Sequence, residues 1–207
     1  EQLLAAENEL STNAKKIIIG IDDISIQKYL ANPLKNILKQ NKNIELYIKE
    51  EKTNQLIDDT INGTIDLAIT SLNLNIIQNC KVNTYKLLDL NLCLIGNTSL
   101  KQIKNSTYED IQVITTNPNF NKSQNKIIVD NYSQVKELIN QNLGFGIIPK
   151  EFVKKEIKEN KMFIIENNIA NDNLYIITNL NNINNYVIRF KKLIIEETNK
   201  NLIETIH

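Results

Sequence analysis

The sequence predicts an α/β fold built on parallel strands, and three observations carry that prediction. Lys16-Ile17-Ile18-Ile19-Gly20-Ile21 is a continuous apolar, mostly β-branched run, the pattern of a strand covered on both faces. It stops at Asp22-Asp23-Ile24-Ser25, and apolar residues then return at helical spacing: Ile26, Tyr29, Leu30, Leu34, Ile37 and Leu38. The same alternation of strand and helix recurs as far as residue 69, and parallel strands joined through helices require right-handed crossovers. In an open α/β sheet, small ligands bind beyond the carboxyl ends of the strands, where helix N-termini also gather. The polar loop after the first strand is therefore the first candidate wall of a binding cleft.

Each element has its own local reason. Residues 1–10 hold strong helix formers, with Leu3, Leu4 and Leu10 placed to pack one face, and Ser11-Thr12-Asn13 ends the run. This helix fits either an ordinary N-terminal helix or a connection to an upstream domain. After the first strand, Asn32-Pro33 is a helix-start pair. Two starts fit there: at that pair, or near Ile26 with a kink at Pro33. Ile44-Glu45-Leu46-Tyr47-Ile48-Lys49 alternates strictly and predicts a strand with one face to the core. Thr53 and Asn54 can cap a helix carrying Leu56, Ile57 and Ile61, with Gly63 just past its end. Ile65-Asp66-Leu67-Ala68-Ile69 is a second buried strand, and it too empties into small polar residues, Thr70 and Ser71.

Residues 72–84 are polar and irregular, and 87–95 form a long strand-like run. A loop is expected over 96–106, followed by the capped helical turn Thr107-Tyr108-Glu109-Asp110. Short strands are predicted at 111–114, ending in Thr115-Thr116-Asn117, and at 126–129. Asp130 or Asn131 then caps a helix whose buried face is Val135, Leu138 and Ile139. A Gly-rich turn leads into a buried strand at 145–149, where Phe145 reads as core. A helix over 152–158, a strand over 162–165, a polar linker over 167–173, a strand over 174–178 and a closing helix over 184–199 complete the chain. That last helix would bury Val187, Ile188, Phe190 and Ile194.

Composition narrows the function. The 207 residues are 42% hydrophobic and 23% charged, ordinary for a globular protein and enough for one large domain or two small ones. Net charge is zero, so the electrostatic footprint of a nucleic-acid binder is missing. No apolar run is long enough to span a bilayer. Cys80 and Cys93 lack a metal-ligand spacing and read as free thiols. The one histidine is the last residue, His207, which removes Ser-His-Asp and Cys-His catalysis and His-based metal sites. No cofactor, no metal and no enzymatic activity are expected.

The order of the motifs resembles one family, the effector-binding (co-inducer) domain of LysR-type transcriptional regulators. Residues 16–20 resemble its opening strand, and Tyr29-Leu30 with Pro33-Leu34 its first helix. Gly63-Thr64-Ile65-Asp66-Leu67-Ala68-Ile69 matches the turn and strand G-x-[IL]-D-[LV]-A-[IL], and Thr107-Tyr108-Glu109-Asp110-Ile111 resembles the "leDL" turn. Asn142-Leu143-Gly144-Phe145-Gly146-Ile147-Ile148-Pro149 resembles the hallmark G-L-G-[IV]-x-x-[LI]-P, with Asn for the first Gly. Val187-Ile188-Arg189-Phe190-Lys191-Lys192-Leu193 resembles the closing helix. The likeness spans 15–198. It departs in the segment 115–126, shorter than the family's, and in the absence of any arginine but Arg189.

The resemblance implies an α/β fold of two Rossmann-like lobes joined by two crossover strands, of the type II periplasmic-binding-protein kind. Residues 1–14 would end a linker helix, 15–94 and 174–207 would form lobe one, and 95–173 lobe two. A small-molecule effector would bind between the lobes at the polar strand ends: Asp22, Asp23, Ile24, Ser25, Thr70, Ser71, Thr115, Thr116, Asn131 and Tyr132. Each of these equally suits a solvated loop or a helix cap. Asp22 and Asp23 would repel a carboxylate, and no arginine fork stands in the cleft, so a cationic, neutral polar or zwitterionic effector fits better. The resemblance further implies a homodimer of this chain, a tetramer of the full-length cytoplasmic protein, and DNA contact only through a separate winged helix-turn-helix. The alternating strand at 44–49 and the first helix resemble the family's pairing surfaces. The rival reading is a periplasmic solute-binding protein of a transporter.

Overall fold

A computed structural model describes residues 15–23, 26–41, 43–72, 81–103, 111–181 and 184–203. The helix expected over residues 1–10, the turn at 107–110, Ile24, Ser25 and Cys80 lie outside them. The chain divides into two compact units, one of residues 1–88 and 174–207, the other of residues 89–173.

In the first unit, β1 (Lys15–Ile21) pairs in parallel with both β2 (Ile44–Glu50) and β3 (Leu67–Ser71). The end of β8 (Met162–Asn179) runs antiparallel to β3, with Leu67 opposite Thr178 and Ser71 opposite Leu174, giving the order β2-β1-β3-β8. Ile17, Ile19 and Ile21 share one face and are fully buried, while on the other face Gly20 is buried and Ile18 half-buried. The crossover helix α1 (Gln27–Gln40) starts at the earlier of the two candidate sites and carries Pro33 inside it, buried on the core face with Tyr29, Leu30 and Ile37. Proline there forfeits the hydrogen bond to the Tyr29 carbonyl, and the burial of its ring offsets the loss.

The second crossover is α2 (Thr53–Ile61), which buries Leu56, Ile57 and Thr60 against β1 and β3. Strand and helix meet closely: a Cβ on Gly20 would stand 2.5 Å from Cδ2 of Leu56. Gly63, just past the helix, takes φ 73, the left-handed conformation that ends helices. The strand expected from Ile65 begins at Leu67. Asp66 instead uses its side chain, accepting the Ile18 N–H at 2.8 Å while donating its own N–H to the Ile18 carbonyl. The closing helix α5 (Asn185–Ile203) packs on α1 and buries Val187, Phe190 and Ile194, but Ile188, expected in its core face, is exposed.

In the second unit, β4 (Val82–Asn97) pairs antiparallel with β7 (Phe145–Pro149), β7 parallel with β5 (Val113–Thr115), and β5 parallel with β6 (Lys126–Ile128). The helix α3 (Tyr132–Asn140) covers β5 and β7. It is capped by Asn131, whose Oδ1 accepts the Gln134 N–H at 2.9 Å. Leu94, Ile111, Val113, Phe120, Phe145 and Ile147 form the core, with Phe163 and Ile165 against it. The expected loop over 96–106 contains a 3-10 turn, Thr98–Ile103, and the expected helix over 152–158 is a 3-10 turn, Lys150–Phe152, followed by the short α4 (Lys154–Lys158).

The largest departure from expectation is β8. Its 18 residues run unbroken through 167–173, which composition predicts as a polar linker. Asn168 takes φ 55 within it, a conformation asparagine tolerates, so the strand absorbs the irregularity without ending. β4 likewise starts at Val82, ahead of the apolar run that predicts it. β4 and β8 are the two strands in which the chain passes from one unit to the other.

Candidate functional site

Asp22 is the residue at which β1 gives way to a bend. The parallel register sets Ile21 beside Ile69, so one step further along both strands Asp22 comes level with Thr70. Its Oδ2 accepts three hydrogen bonds: from the Thr70 hydroxyl at 2.6 Å, the Ser71 N–H at 2.7 Å and the Thr53 hydroxyl at 3.3 Å. The Thr53 and Thr70 hydroxyls also lie 3.0 Å apart; with a single proton each, a bond between them is an alternative to the longer Thr53 bond to Oδ2. Three elements of the first unit thus converge on one carboxylate oxygen: the ends of β1 and β3 and the start of α2.

The other oxygen, Oδ1, is buried and has no hydrogen-bond partner. Burial pushes the Asp22 carboxyl up to about 6; the Thr70 and Ser71 bonds pull the other way, the negative charge of Asp23 adds to the rise, and the Thr53 bond opposes it. Asp23 is itself buried, and its carbonyl accepts the Ile26 N–H at 3.0 Å. Asp22, Thr70 and Ser71 are brought together as a set, with Asp23 adjoining.

Thr53 belongs to that set, and sequence reasoning assigned it a different task. It was expected to cap α2, but Lys52 holds the cap position and no side chain bonds the free N–H groups there. The signal that could have found it is topological. A helix that follows a parallel strand's neighbour starts near the same sheet edge where the strands end.

The candidates from the second unit have local partners. Thr115 ends β5, is buried, and accepts the Asn117 N–H through Oγ1 at 3.0 Å; Thr116 follows it half-buried. Asn131 is the cap of α3. The Tyr132 ring meets Phe152 edge-on at 5.8 Å, and its hydroxyl donates to Oδ2 of Asp172 at 3.3 Å. Burial raises the Asp172 carboxyl, against the bonds from the Asn173 N–H and Tyr132. Cys93 is a buried free thiol. Among the described residues no cluster of three or more His, Cys, Asp or Glu side chains could hold a metal ion, and no helix is long and apolar enough to cross a membrane.

No protein-family model matches the sequence, and no curated protein does. Solved structures do match in fold. The regulatory domain of HypT from Salmonella typhimurium in its apo form aligns at a TM-score of 0.68 and 14% identity, over 90% of this chain and 96% of that one. Full-length LysG from Corynebacterium glutamicum with bound effector Arg aligns at 0.71 and 14% identity, over 95% of this chain and 72% of that one. The effector-binding domain of a BenM variant aligns at 0.68 and 14% identity, over 90% and 96%. The chain therefore has the α/β, type II periplasmic-binding-protein-like fold of the effector-binding domains of LysR-type transcriptional regulators.

Proposed function

We propose that this chain is the ligand-sensing regulatory domain of a LysR-type transcriptional regulator. A small-molecule effector contacts the polar strand ends, foremost Asp22, Asp23, Thr70 and Ser71 in the first unit. Ile24 and Ser25 continue that loop, and Thr115, Thr116, Asn131 and Tyr132 are the counterparts in the second unit. The effector shifts the balance between conformational states by its different affinity for each, and the domain carries out no chemistry itself. The observation that carries this reading is the Asp22 cluster at the carboxyl end of β1, within a fold matched nearly end to end by regulatory domains.

The domain works as a homodimer, within a tetramer of a cytoplasmic protein whose winged helix-turn-helix touches DNA. Support comes from β2, an edge strand with Tyr47 and Ile48 exposed, and from the exposed Leu38 on α1. A thermal-shift screen of amino acids, amines, polyamines and short carboxylates tests the sensing function. At least one class is expected to raise the melting temperature, and silence from all of them would count against a sensor.

A further inference from the structure

Oδ1 of Asp22 is, among the described residues, the one buried side-chain polar atom without a hydrogen-bond partner. Native folds rarely strip a carboxylate oxygen of water and leave it unpaired, because the loss of hydration goes uncompensated. Its sister oxygen already holds three donors. Among the described residues, no cation contributes to the field at Asp22. The charge acting on Asp22 is the like charge of Asp23. Lys49, the penultimate residue of β2, is taken up by Glu51 and Asp59 at 3.2 and 3.1 Å. The sole arginine, Arg189, is exposed on α5.

We propose that the effector is a cation bearing N–H donors, an ammonium, amidinium or guanidinium group, and that Oδ1 of Asp22 accepts from it. This rests on the sensing function above and specifies the ligand for the same site. A carboxyl that titrates at about 6 is mostly ionised at neutral pH, and an ionised carboxylate can only accept, so the missing partner is a donor. A neutral amide or hydroxyl could supply the hydrogen bond but leaves the charge of Asp22 uncompensated. A cation supplies both, and a carboxylate ligand is repelled. Asp22 as a residue is only half-buried while its Oδ1 is covered, so ligand entry shifts the end of β1. That shift is the difference between states on which a sensor depends.

The test uses the whole chain and charge-matched probes. Arginine, agmatine and lysine are the cations, citrulline and norleucine the neutral counterparts, and succinate the anion. Binding is read by calorimetry, stability by thermal shift, and the Asp22 carboxyl by carbon-13 NMR titration. A cation is expected to bind about tenfold or more tightly than its neutral counterpart and to lower the Asp22 pKa. Its affinity is expected to weaken about tenfold from pH 7 to pH 5, as the carboxylate protonates. Asp22→Asn is expected to abolish the preference for charge. Equal binding of citrulline and arginine, unchanged arginine binding by Asp22→Asn, or binding of succinate alone overturns the cation assignment and leaves the sensing function standing. Failure of every probe to bind removes both. Should Asp22→Asn not fold, the pH series and the NMR titration of the unaltered chain decide.

Discussion

Asp22 is ionised at neutral pH only against the fold's preference. Its folded pKa lies above the unfolded value, so the stability it contributes is fully present in acid and is lost as pH rises through about 6. The loss between acid and neutral pH amounts to at most about 3 kcal/mol. Asp22→Asn keeps an oxygen for Thr70 and Ser71 and removes the charge. The stability of wild type relative to this variant is expected to fall between pH 5 and pH 7, measured by denaturant unfolding at each pH. Gly144 shows the opposite kind of constraint, set by the backbone. It sits at φ 151, and a Cβ there would stand 2.4 Å from the Gln112 carbonyl oxygen, which accepts the Phe145 N–H at 2.9 Å. Gly144→Ala is expected to destabilise the protein by roughly 1–3 kcal/mol, read from the denaturation midpoint.

At the scale of elements, β2 and α3 make separable predictions. Strict alternation in β2 predicts that Ile48 faces the core with Ile44 and Leu46, yet Ile48 is 42% exposed. β2 is an edge strand paired only with β1. Ile48→Glu is expected to leave the monomer's stability within about 0.5 kcal/mol, as surface substitutions usually do, and to convert a dimer to a monomer in light scattering. A monomeric wild-type protein would overturn the proposed assembly. In α3, Asn131→Ala removes the side-chain cap bond to the Gln134 N–H and is expected to cost about 1 kcal/mol. The helix is legible from Val135 and Ile139 at helical spacing, and the cap from the residue type. By contrast, the continuity of β8 is not legible. Asn167, Asn168, Asn171 and Asn173 suggest a linker, and pairing with neighbouring strands overrides that local preference.

For the molecule as a whole, charge sets the expectation. With 24 basic and 24 acidic side chains, these 207 residues lack the excess of cations that releases counterions from a duplex. No gel shift of duplex DNA is expected from this chain alone at physiological salt, and a clean shift would refute the assignment of DNA contact to a separate domain. Two compact units, each with its own core, agree with a chain long enough to fill more than one.

The sequence by itself determined the α/β class and the polar ends of β1 and β3. Those properties are local: a β-branched run and a change of residue type at its end. Only the tertiary structure decided that Oδ2 of Asp22 is saturated while Oδ1 is bare, and that Thr53 serves the carboxylate rather than its own helix. Both follow from distances between residues 17 to 49 positions apart, which the parallel register brings to one sheet edge and which no local pattern encodes.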